Sequence, residues 1–182
     1  MAIHWYPGHM HKATREMTKI LPEVDLVIEL LDARLPASSQ NPVIAQLSQT
    51  KPCIKILSKS DLADPDTTSA WQVHFEQDAS VKTLQTTLDQ ADKAQKVIRL
   101  CHALVPGKAL EHLRIVAMVA GIPNVGKSTL INALAGRRVT KTGDEPAITK
   151  SQQRIKLEEG ITLLDTPGIL WPKIENENSG YR

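Results

Sequence analysis

A chain of 182 residues is long enough for one α/β domain with a real core and too short for two full domains. Its two cysteines, Cys53 and Cys101, stand far apart without ligand spacing, no apolar run approaches the ~20 residues that span a bilayer, and no secretory signal is seen, so the expectation is a cytoplasmic protein with reduced, buried thiols. The net charge of +2 hides an asymmetry: residues 93–156 carry twelve Lys/Arg against three Asp/Glu, net +9, while the remainder is net −7, which suggests that one region meets phosphates.

In chain order, His9 to Leu21 predicts a short helix ended by Pro22. "DLVIELLDAR" (25–34) is a nearly continuous apolar run of strand length, as in a strand buried on both faces of a parallel sheet. "CIKILSKSD" (53–61) repeats that form, and 38–49 between them predicts a crossover helix capped by Ser38 or Ser39. A helix at 67–77, a strand at 81–86 and a helix from Asp92 to Val105, ended by Pro106-Gly107, follow. "RIVAMVAG" (114–121) is a third buried strand, 127–136 a helix closed by Gly136, and 152–168 two strands around the Glu159-Gly160 turn. The alternation predicts a doubly wound, mostly parallel α/β sheet with ligands bound beyond the carboxyl ends of its strands.

"GIPNVGKST" (121–129) sits where a strand ends and a helix begins. Gly121, Gly126, Lys127 and Ser128 satisfy GxxxxGK[ST], in which backbone N–H groups close around the α- and β-phosphates of a nucleotide at a helix N-terminus. Asn124, Val125, Gly126, Lys127, Ser128 and Thr129 are therefore candidate phosphate-loop residues, with Lys127 reaching the β/γ oxygens and Ser128 a ligand of Mg²⁺. Asp165-Thr166-Pro167-Gly168 taken alone reads as a turn; downstream of a phosphate loop, Asp165 becomes a candidate to hold Mg²⁺ and Gly168 to approach the γ-phosphate.

"SKSD" (58–61) resembles the guanine-reading element NKxD, whose carboxylate accepts two hydrogen bonds from the base. Asp61 and Lys59 fit that pattern, and Ser58 stands where the asparagine would be. The order is then base loop, phosphate loop, magnesium loop, whereas ordinary small GTPases begin with the phosphate loop and end with the base loop. A circularly permuted Ras-like P-loop fold accounts for this order, and neighbouring strand–helix units can pack alike wherever the chain is cut.

With these motifs in place, "WYPGHM" (5–10), "DLVIELLDAR", "SKSD", "GIPNVGKSTLINALAG", "KTGDEPAIT" (141–149) and "LLDTPGILWPK" (164–173) together closely resemble the YlqF type of circularly permuted GTPase, the ribosome biogenesis GTPase A (RbgA) family. The resemblance implies GTP hydrolysis in maturation of the large ribosomal subunit, with GTP and GDP, the particle and its ribosomal RNA as partners, and neither membrane nor DNA. It implies Thr149 as the switch threonine that closes on Mg²⁺, with Lys150 and Ala147 beside it departing from the usual pattern. It also implies His9, the histidine of the matching N-terminal motif, as the candidate to orient the attacking water, with Ile169 standing where other GTPases carry a glutamine. The fifth, base-contacting element is matched only by Thr86-Thr87, and Asn124 resembles the asparagine that helps hold K⁺ in potassium-activated members. Residues 1–24 are expected to form an N-terminal segment and 25–182 the GTPase domain, with the family's helical RNA-binding domain absent from this chain.

Two other readings remain open from the residues. A P-loop ATPase or kinase fits the phosphate loop, although Asp165 is followed by Thr-Pro-Gly rather than a second carboxylate. A nucleotide-dependent RNA-binding module with incidental hydrolysis fits the +9 segment.

Overall fold

The computed structural model describes residues 8–87, 91–140 and 153–168. Helix α1 (Gly8–Ile20) and a 3₁₀ turn precede strand β1 (Leu26–Asp32), whose seven residues are all buried. Helices α2 (Pro36–Ser39) and α3 (Pro42–Ser48) lead to β2 (Cys53–Ser58), again buried throughout. Helix α4 (Pro65–Phe75), β3 (Val81–Thr86), α5 (Ala91–Leu104) and the short α6 (Pro106–Leu110) come next. Then come β4 (Ile115–Gly121), α7 (Lys127–Ala135), β5 (Gln153–Lys156) and β6 (Ile161–Asp165).

The sheet order is β3-β2-β1-β4-β6-β5, with β5 antiparallel to β6 and every other pair parallel. Successive strands run outward from β1 to β3, and the chain then returns to place β4 on the other side of β1. That reversal makes the β1–β4 boundary the switch point, where a crevice opens beyond the strand ends.

Alternate residues of the central strands feed two cores, which explains why the strands read as unbroken apolar runs. Leu26, Ile28 and Leu30 join Val97 and Ile98 of α5 and Ile131 of α7 on one face. Val27 and Leu31 join Met17 of α1, Ile44 of α3 and Phe75 of α4 on the other. Each such fully buried aliphatic side chain is worth about 1.5–3 kcal/mol of transfer free energy. Polar register partners break the second face: Glu29 and Lys55 lie opposite each other on β1 and β2 and form a buried ion pair. The Lys55 ammonium also stands 5.1 Å from the Phe75 ring centroid, a cation–π contact.

Two helix boundaries differ from expectation. The 38–49 segment is two short helices, because Pro42 favours a fresh helix start and Asn41, not Ser38 or Ser39, caps it through the Val43 N–H. Ser39 instead ties β1 to α2, its hydroxyl oxygen accepting from the Asp32 N–H at 2.9 Å. The predicted 67–77 helix starts earlier, at Pro65, with Asp64 as its cap accepting from the Thr67 N–H at 2.7 Å. Strand β2 also ends at Ser58, and Ser60–Leu62 turns as a 3₁₀ helix. Both cysteines are free and buried, and burial pushes each thiol up to about 12, so neither is a nucleophile at neutral pH.

Candidate functional site

The phosphate loop leaves the sheet at Gly121, the last residue of β4. A Cβ there would stand 2.9 Å from the Leu30 carbonyl oxygen and 3.0 Å from the Val125 side chain, so only glycine lets β4 pass β1 this closely. Asn124 (φ 60°) and Gly126 (φ 99°) then turn the backbone through the left-handed region. Asparagine tolerates that conformation. Gly126 is the N-cap of α7, so Lys127, Ser128 and Thr129 form the first turn and their N–H groups lack helical acceptors. The loop is a ready anion cradle.

Lys127 is buried, and its ammonium donates to Asp165 Oδ1 at 2.8 Å; Asp165, ending β6, is fully buried. Two further contacts hold the segment after β6, one against β4 and one against the phosphate loop. The Thr166 hydroxyl donates to the Val119 carbonyl at 2.7 Å, and a Cβ on Gly168 would stand 2.9 Å from the Pro123 nitrogen.

The base loop reaches the same place from β2. The Ser58 hydroxyl donates to the Val125 carbonyl at 2.8 Å, with the Leu31 carbonyl a second acceptor at 3.0 Å. Ser58 thus ties the end of β2 to the phosphate loop. Lys59, itself left-handed (φ 56°), donates from its ammonium to Asp32 Oδ2 at 3.0 Å and to the Asn124 carbonyl at 3.2 Å. Asp61 lies exposed in the 3₁₀ turn that follows. Thr86, ending β3, is the register partner of Ser58, and the two share a pocket with Gly126, Thr129 and Lys93.

Two residues that the sequence reading did not assign organise this region. Asp32 ends β1 and accepts from Lys59 and, at 2.9 and 2.7 Å, from Nε and Nη2 of Arg34. Burial acts to raise its pKa, but the Arg34 and Lys59 hydrogen bonds outweigh it and bring the carboxyl down to about 2. The signal was the Asp-Ala-Arg that closes the first apolar run. Asn132, on α7, accepts at Oδ1 from the Val139 and Thr140 N–H groups, both at 2.9 Å, and donates to the Thr140 carbonyl at 3.1 Å. It fastens the chain just before residue 141; its only signal was an amide inside the apolar "LINALA".

Of the remaining predicted residues, His9 falls on α1, with its side chain outside the described residues. Thr149 and Ile169 lie outside the described residues altogether. Among the described residues no group of three or more His, Cys, Asp or Glu gathers. Asp165 offers a buried carboxylate beside the phosphate loop and Ser128 a hydroxyl in the first turn of α7. That hard, sparse set fits Mg²⁺ shared with nucleotide phosphates rather than caged by protein alone.

Comparison with known proteins shows the family. The family described as 50S ribosome-binding GTPase matches residues 116–182. The ribosome biogenesis GTPase A of Bacillus pumilus is 47% identical over 189 residues, covering 100% of this chain and 67% of its own length. The chain belongs to the ribosome biogenesis GTPase A family. A solved structure titled as GDP-bound TM YlqF superposes with a TM-score of 0.65 at 30% identity, covering 91% of this chain and 63% of the other. YjeQ from Thermotoga maritima, 22% identical with a TM-score of 0.50, covers 80% of this chain and 48% of its own and shares the fold. The domain is therefore the circularly permuted P-loop GTPase domain of the ribosome biogenesis GTPase A family, and the chain spans about two thirds of the length of the curated relatives it matches. Among the described residues no helix is long and apolar enough to cross a membrane.

Proposed function

We propose that the protein binds and hydrolyses GTP as a cytoplasmic assembly factor of the large ribosomal subunit, engaging the particle and its RNA in the GTP form and leaving in the GDP form. Residues 25–182 act as the switch and 1–24 as an accessory segment that supplies His9. The observation that carries the reading is the convergence of two loops on the phosphate loop: Ser58 bonds Val125 and Lys59 bonds Asn124 from one, and Asp165 pairs with Lys127 from the other.

In this reading Asp61 accepts from the guanine N1–H and 2-amine, while the Lys59 stem covers the base and Thr86 borders it. The N–H groups from Asn124 to Thr129 receive the α- and β-phosphates, and Lys127 exchanges Asp165 for the β/γ oxygens. Gly168 leaves room for the γ-phosphate. Ser128, Thr149 and Asp165 would hold Mg²⁺, which supplies positive charge against that developing on the phosphates. Asn124 would help hold K⁺. His9 orients the attacking water, because Ile169 cannot hydrogen-bond it. Exposed Lys96, Arg99, Arg137 and Arg138 within the +9 segment favour RNA as the partner surface.

The test is single-turnover hydrolysis of GTP with and without large-subunit particles, ATP being offered in competition. Turnover of the free chain on the order of 10⁻⁴ to 10⁻² s⁻¹ is expected, as for GTPases lacking a full catalytic set, with acceleration by the particle. Equal use of ATP would remove the guanine assignment. Salt-sensitive RNA binding without turnover would instead leave an RNA-binding module.

A further inference from the structure

The pocket beside the phosphate loop holds a cation that none of these roles uses. Lys93 stands near the start of α5, half-buried, and lines the pocket together with Ser58, Thr86, Gly126 and Thr129. Its neighbours Ala94 and Val97 are buried in the core, which fixes α5 against the sheet and fixes Lys93 at the pocket wall. Among the described residues the ammonium makes no hydrogen bond or ion pair. Burial pushes its pKa down from the ordinary lysine value and Lys96 adds to this, while the Asp61 carboxylate acts in the opposite sense. Ser58 lines the same pocket three residues before Asp61, so the wall that carries Lys93 adjoins the 58–61 loop.

We propose that Lys93 reads the guanine: its ammonium donates to the 6-carbonyl oxygen while Asp61 accepts from N1–H and the 2-amine. Guanine offers that acceptor and those donors along one edge. Adenine presents an amine at position 6, a donor facing an ammonium, so the same pair that attracts guanine repels adenine. Lys93 would then supply from a helix what the fifth element, reduced here to Thr86-Thr87, supplies poorly.

The proposal rests on Asp61 facing the base, and the experiment separates the two. Affinities of the 182-residue chain for GTP, 6-thio-GTP and ATP are measured for wild type, Lys93→Met and Lys93→Arg, with thermal melts confirming that each variant folds. 6-Thio-GTP keeps N1–H and the 2-amine but replaces the oxygen by sulfur, a weak acceptor. Lys93→Met is expected to lose ~10- to 100-fold in GTP affinity, the range for a hydrogen bond to a charged group, while its preference for GTP over 6-thio-GTP collapses toward unity. Lys93→Arg should keep most of both. An unchanged GTP affinity, or a parallel loss for GTP and 6-thio-GTP as from a phosphate or ribose contact, overturns the proposal. Asp61→Asn, assayed with xanthosine triphosphate, independently reports whether the base lies at 58–61.

Discussion

Gly168→Ala tests whether the magnesium loop and phosphate loop are locked together by steric fit. The added Cβ would stand 2.9 Å from the Pro123 nitrogen, 3.0 Å from its Cα and 3.2 Å from its Cγ. Restoring an ordinary 3.4 Å to the nearest atom requires the two backbones to part by about 0.5 Å, and no flexible side-chain end is available to yield instead. Overpacking of this kind costs about 1–3 kcal/mol. For a domain of this size each kcal/mol lowers Tm by roughly 2–4 °C, so a fall of about 2–12 °C is expected. In the proposed function Gly168 borders the γ-phosphate, so GTP affinity should fall more than GDP affinity. Gly107→Ala is the control: nothing lies within 4 Å of its Cβ, and in helix α6 alanine should be neutral or stabilising. Differential scanning calorimetry with fluorescent GTP and GDP titrations reads both quantities. A Gly168→Ala chain with wild-type Tm and an unchanged GTP-to-GDP ratio would refute the reasoning.

Asp61→Asn should weaken GTP and favour xanthosine triphosphate, since discrimination by paired hydrogen bonds can reach ~10⁴-fold; unaltered GTP affinity removes the base loop from 58–61. His9→Ala should retain GTP binding and lose ~10²-fold or more of particle-stimulated turnover, the scale of a positioned acid–base group, and undiminished stimulation would sink that role. The Asp32 carboxyl, near 2 when folded against 3.8 ordinarily, contributes stability that is full above about pH 4 and is lost as pH falls toward 2. After allowance for solvent screening the contribution is on the order of 1 kcal/mol. Acid denaturation of Asp32→Asn should lose this part of its slope; a slope equal to wild type would show that the Arg34 and Lys59 contacts do not act on folding.

The local sequence determined whatever depends on a short stretch of chain. Apolar runs announced β1, β2 and β4, because a strand buried on both faces needs no polar alternation, and Gly136 closed α7 where a left-handed residue was required. The phosphate loop was legible for the same reason: its glycines, lysine and serine act within one turn of backbone. The base loop and magnesium loop were readable as motifs, but their relation to it was not. That Ser58 donates to Val125, that Lys127 and Asp165 pair, and that Gly168 abuts Pro123 follow from β2, β1, β4 and β6 lying in that order in one sheet, which only the tertiary structure decides. Asp32 and Asn132 escaped notice because each acts on a partner brought to it from another element or across a turn. Pro42 and Asn41 likewise divided a helix that periodicity alone had joined, since a cap placed one turn further along satisfies the backbone better than a serine drawn away to Asp32. Short-range geometry is written residue by residue, whereas the site's wiring exists only once the strands have chosen their neighbours.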